Sequence, residues 1–140
     1  MKHMDMNDPK IKTFIEAISS SHEAALLIIE DPDKLVEVQK TIHAFGYISA
    51  TTSVEILKLL ESDAKICYTV ENITKDLYDI VRQYSAGGGM IQLFNVESEE
   101  LTTTRFHQHI TKLIIIVSRD TLKNSQFPLM QYIGITEIID

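Results

Sequence analysis

The stretch Ala24-Ala-Leu-Leu-Ile-Ile-Glu-Asp-Pro-Asp-Lys-Leu-Val-Glu-Val-Gln-Lys-Thr-Ile-His-Ala-Phe-Gly-Tyr47 decides the fold. It opens with a continuous apolar run, Ala24 to Ile29. A run that short, rich in Leu and Ile and bounded by charge, fits a strand covered on both faces. Pro32 suits the first position of a helix, where its missing N–H costs nothing, and Asp31 before it suits the N-cap. Leu35, Val38, Ile42 and Phe45 then recur on one helical face, and Gly46 is a natural stop. The piece therefore reads as strand, acidic turn, amphipathic helix, glycine stop. In open α/β sheets ligands sit at the carboxyl ends of strands, so the acidic turn is the first place to look for chemistry.

The same grammar extends outward. Upstream, Ile11, Phe14, Ile15 and Ile18 make an apolar stripe that predicts a helix over about 9–19, an addition ahead of the first strand. Downstream, Tyr47 to Thr52 is short and β-prone. Thr52 or Ser53 caps a short helix through Val54, Leu57 and Leu60. Ala64 to Val70 reads as the third strand. Leu77, Ile80, Val81 and Tyr84 predict a helix that ends in Ser85-Ala86-Gly87-Gly88-Gly89. Met90 to Phe94 reads as a fourth strand. Glu97 to about His109 is polar, a helix or partly a loop, and Leu113 to Val117 is a buried strand. A last helix is expected within 124–133, and Ile135 to Ile139 is β-prone or a tail. Strands alternating with helical patterns predict an α/β domain: a doubly wound, mainly parallel five-stranded sheet with an extra N-terminal helix. Residues 1–8 read as a tail and 9–140 as one domain.

Bulk properties narrow the function classes. With 44% hydrophobic residues, the 140-residue chain can fill one core. A net charge of −7 gives no electrostatic support to binding nucleic acid or acidic membranes. Cys67 is the only cysteine, so the chain supports neither an internal disulfide nor a cysteine-based metal site. No apolar run approaches the roughly 20 residues needed to span a bilayer, and no signal-peptide core follows the first residues. Cytoplasm is the expected location.

In the order and spacing of these pieces, residues 23–133 resemble a response-regulator receiver domain of two-component signalling, whose fold is flavodoxin-like. The likeness rests on Leu26-Leu-Ile-Ile-Glu-Asp-Pro-Asp-Lys-Leu, on Ala44-Phe-Gly-Tyr47, on Val54 to Ser62 and on Tyr78-Asp-Ile-Val-Arg82. The resemblance implies a Mg²⁺-binding acid pair after strand one. Aligned on Pro32, those positions hold Ile29 and Glu30; a frame shifted by one offers Glu30 and Asp31. The implied phospho-acceptor position holds Thr69, the switch hydroxyl falls near Asn95, and the implied lysine falls near Ser118 or Arg119. Phosphoryl transfer to an acyl phosphate needs a carboxylate nucleophile, and Mg²⁺ needs several hard oxygen ligands. A site with one acid and a threonine acceptor provides neither.

The remaining candidates each have a plainer reading. Glu30 and Asp31 can be a remnant site or simply charge complementing a helix N-terminus. His107 and His109 would share a face on a strand, yet no third metal ligand is near them. Cys67 reads as a buried structural thiol. The glycines 87–89 follow a helix and open a strand, the reverse of a phosphate loop. Arg119, after the clearest strand, can bind an anion or pair with Glu30. The expectation is a non-enzymatic pseudo-receiver without a phospho-acceptor Asp. It would need no cofactor and would act by protein–protein contact or dimerisation, with 97–133 as the contact region. The alternative is a small α/β enzyme, or a nucleotide- or anion-binding domain, using the sheet's carboxyl edge.

Overall fold

The computed structural model describes residues 8–140, so the expected tail at 1–8 lies, apart from Asp8, outside the described residues. The quoted stretch folds as read. β1 (Ala24–Ile29) is buried at every position. The Asp31 carboxylate then caps a one-turn 3-10 segment, Pro32–Lys34, accepting from the Asp33 N–H at 3.0 Å. That turn runs into α2 (Leu35–Ala44), which buries Val38 and Ile42. Gly46, at φ +92°, takes the left-handed conformation that ends it. Phe45 departs from the expected stripe. It is 37% exposed, because the helix has already ended one residue before it.

Upstream lies α1 (Asp8–Ile18). Downstream come β2 (Ile48–Ala50), α3 (Ser53–Glu61), β3 (Lys65–Val70) and α4 (Lys75–Ser85). Thr52 caps α3 and Thr74 caps α4, each hydroxyl accepting a main-chain N–H of the first turn. Next are β4 (Met90–Asn95), β5 (Glu100–Arg105), β6 (Lys112–Ser118), the short α5 (Arg119–Lys123), a 3-10 turn at Leu129–Tyr132, and β7 (Ile133–Ile139).

Five strands form one parallel sheet in the order β2-β3-β6-β1-β7. One face carries α1 and α2, packed through Ile11, Phe14, Ile18, Val38 and Ile42. The other carries α3, α4 and the segment before β7, packed through Ile56, Leu60, Leu77, Tyr84 and Leu129. The α/β class, the five-stranded parallel sheet and the extra N-terminal helix are therefore as expected.

Three element assignments differ. Met90 to Phe94 is a strand, but it lies outside the main sheet and pairs antiparallel with β5. The polar stretch after it holds a strand, β5, rather than a helix or loop; its threonines favour the extended backbone, and Thr104 is buried beneath the hairpin. The fifth parallel strand is instead β7, at the end of the described chain. No α-helix forms within 124–133, where one was expected. α5 comes earlier, directly after β6 with Ser118 as its cap, and only a 3-10 turn follows Pro128.

The strand order has a consequence at the carboxyl edge. From β1 the chain runs over one face to β2, and from β6 over the other face to β7. Opposite directions on opposite faces keep both crossovers of one hand. But β6 lies on the β2 side of β1, so these two connections cross. In the flavodoxin order 2-1-3-4-5 the connections of neighbouring strands diverge and leave a crevice for a ligand. Here the loops after β1 and β6 converge.

Candidate functional site

At that crossing the two loops are joined directly. The Arg119 Nε donates to Glu30 Oε1 at 2.7 Å, and the guanidinium Nη2 donates to the same oxygen. Of the two readings of Arg119, the ion pair is the one realised. The pair spans the loop after β6 and the loop after β1, with both side chains partly exposed. In such a setting it contributes at most about 1 kcal/mol, and its main effect is positional.

Beneath it lies a cavity of about 230 Å³ lined by Ile29, Pro32, Leu35, Thr69, Val70, Glu71, Ser118 and Thr121. Three expected positions, Ile29, Thr69 and Ser118, thus reach one cavity. β6 runs between β1 and β3. Ile29 and Thr69 therefore sit two strand spacings apart, about 10 Å across the sheet. Neither an isoleucine nor a lone threonine hydroxyl supplies the carboxylate oxygens that Mg²⁺ takes. Glu30 is turned towards Arg119, and Asp31 is used as the cap. Asn95 does not belong to this region at all. It ends β4 in the hairpin, where its side-chain oxygen accepts from the Glu97 and Ser98 N–H groups and shapes the turn.

The polar atoms at the cavity bind one another. The Ser118 hydroxyl donates to Thr121 Oγ1 at 2.9 Å and accepts from the Thr121 N–H. Thr121 Oγ1 in turn donates to the Glu71 carbonyl at 3.1 Å, tying the loop after β6 to the loop after β3. Gln39 Nε2 donates to Thr69 Oγ1 at 2.8 Å, tying α2 to β3. Gln39, Glu71 and Thr121 were not singled out from sequence. The Ser118-x-x-Thr121 spacing, a helix-cap pattern directly after a buried strand, was the available signal. The hydrogen-bonded neighbour of the Thr69 hydroxyl is the Gln39 amide, which cannot act as a base towards it.

Away from the edge, His107 and His43 make local side-chain hydrogen bonds. His107 Nδ1 lies 2.9 Å from Asp63 Oδ1, and its N–H also donates there. No group of three or more His, Cys, Asp or Glu that could hold a metal occurs among the described residues. His43 Nε2 meets Ser49 Oγ at 2.5 Å on the surface. Cys67 is 1% exposed, and burial pushes its thiol pKa up, which removes it as a nucleophile. Lys112, at the opposite end of the sheet, is buried with its ammonium donating to the Ser21 carbonyl at 2.8 Å. Burial, and then the neighbouring Lys65 charge, hold its pKa below the usual lysine value. No described helix is long and apolar enough to cross a membrane. No family model matches this chain, and no curated protein sequence matches it.

Proposed function

We propose that this chain is a non-enzymatic module that acts through protein contacts, self-association included. The observation that carries this reading is the state of the carboxyl edge. There the converging loops are cross-tied by Arg119–Glu30 and by the Ser118–Thr121–Glu71 chain, over a largely apolar cavity. Catalysis needs a nucleophile with a base in reach, or a metal with an open position. The Ser118, Thr121 and Thr69 hydroxyls and the Arg119–Glu30 pair are engaged in holding loops and elements together. What is left free is surface: Phe94, Val96 and Leu101 on the β4–β5 hairpin are 59%, 78% and 58% exposed. The hairpin falls partly within the 97–133 region that the receiver resemblance marks for contacts. That resemblance supplies the idea of a pseudo-receiver. The strand order is not the receiver's, so the support here is the edge chemistry and not descent.

A second reading, small-ligand binding, draws on a neighbouring depression of about 640 Å³. It is lined by Gln39, Ser49, Thr51, Tyr68, Thr69 and Asn72 among others. Thermal shift separates the two. With Mg²⁺ and beryllofluoride, and separately with common nucleotides, the contact module melts at an unchanged temperature. A rise of several degrees with a nucleotide would move the assignment to the second reading.

A further inference from the structure

In the β4–β5 hairpin, which contacts α4 through β4 and α3 through β5, the outward main-chain groups of the two strands are used differently. Along β4, the Gln83 side chain takes both main-chain groups of Gln92. Its Nε2 donates to the Gln92 carbonyl and its Oε1 accepts from the Gln92 N–H, each at 2.8 Å. Those groups therefore point away from β5. In antiparallel pairs, residues directly opposite each other turn their N–H and C=O the same way, both inward or both outward. Thr103 lies opposite Gln92, so its N–H and C=O point away from β4. Leu101 and Arg105, two residues to either side, do the same. None of the turn, cap or side-chain hydrogen bonds among the described residues reaches these groups. Leu101, Thr103 and Arg105 are all exposed.

We infer that a second copy of this chain pairs along this edge, β5 against β5, antiparallel about a twofold axis at Thr103. This deepens the contact-module reading and rests on it. The register is self-complementary. Thr103 faces its own copy, and Leu101 of each chain faces Arg105 of the other, so all three outward-turned residues meet outward-turned residues. Charge selects the same orientation. One end of β5 is acidic, with Glu97, Glu99 and Glu100, and the other carries Arg105; His107, just beyond it, is already bonded to Asp63. Antiparallel pairing sets the acidic end of one strand beside the basic end of the other, whereas parallel pairing sets acid on acid. No ion pair among the described residues uses those glutamates or Arg105. Cross-strand Thr–Thr and opposite-charge pairs are favourable in sheets, and an isologous contact closes as a dimer instead of growing. The outer face then continues across four strands, joining Phe94 and Leu101 of one copy to Arg105 and Met90 of the other. So short an edge buries less than the ~800 Å² per partner of a standard interface, and the dimer forms reversibly with concentration.

Sedimentation velocity of the full chain over a concentration series tests this. The wild type is expected to show a monomer–dimer equilibrium. Thr103→Pro removes an N–H that the hairpin does not use and is expected to weaken the dimer by at least about tenfold. Arg105→Glu, which leaves every main-chain group in place, is expected to weaken it as well; circular dichroism identifies the folded variants. A wild type that stays monomeric to millimolar concentration overturns the pairing, as does either folded variant with an unchanged dimer constant. A monomer with flat ligand titrations rejects this interface alone, whereas a nucleotide response rejects the contact module itself.

Discussion

Asp63 stands in left-handed backbone, φ 56°, at the entry to β3. Its carboxylate accepts from His107, which joins that entry to the segment after β5. The His107 hydrogen bond holds the Asp63 pKa below the usual carboxylate value. The folded chain thus gives up this proton more readily than the unfolded chain. The stabilisation is fully present above the ordinary carboxylate pKa, and it is lost as pH falls through the lowered one. Asp63→Asn keeps a residue that tolerates this backbone. It is expected to lower urea stability at neutral pH and to match the wild type in strong acid; an equal deficit at both pH values would contradict the assignment. Tyr84 makes a second test. Its ring stacks on Phe106 at 5.3 Å between centroids, and its hydroxyl donates to the Thr111 carbonyl at 3.0 Å. Tyr84→Phe keeps the stack and leaves that carbonyl short of a partner, at a cost of about 1 kcal/mol in urea unfolding. At this scale the sequence was legible wherever one residue carries a backbone preference, as at Asp31, Thr52 and Gly46. It was not legible at His107 or Gln108. Their partners, Asp63 for the first and the His22 and Tyr84 carbonyls for the second, lie far away in the chain.

At the scale of elements, the strongly patterned pieces read correctly and the hairpin did not. β1 and β6 are runs of buried Leu, Ile and Val with no competing interpretation. The hairpin was hidden because its strands are largely exposed and only half patterned. Ile91 and Thr104 face inward as opposite partners, while the residues around them are mostly polar or solvent-facing. The three threonines were the signal, since β-branched side chains favour strands. Gly89, read from the sequence only as part of the run between a helix and a strand, anchors the hairpin. It sits at φ +66°, its carbonyl accepts from the Phe106 N–H at 2.9 Å, and a Cβ there would lie 2.8 Å from the Phe106 carbonyl oxygen. Gly89→Ala therefore strains the backbone and the strand pairing together, and is expected to cost more than the ~1 kcal/mol of a left-handed residue alone. Thermal unfolding checks it; a variant as stable as the wild type would show that the hairpin is not fixed at this point.

For the whole molecule, the decisive feature is the order of five strands, which no local pattern encodes. The sequence announces an α/β parallel sheet through alternating strand and helix patterns, most plainly in the apolar runs of β1, β3 and β6. It does not announce that β6 inserts between β1 and β3, since that depends on which edges meet. The insertion sets Ile29 and Thr69 two strand spacings apart, and it brings Glu30 against Arg119, so that the loops form a tied seam. The most direct measurement is intact-mass spectrometry of the full chain after incubation with acetyl phosphate and Mg²⁺. The account predicts an unchanged mass, because no group of three or more His, Cys, Asp or Glu that could hold the required Mg²⁺ occurs among the described residues. A stoichiometric phosphate adduct, mapped to the loops after β1, β3 or β6, would contradict it.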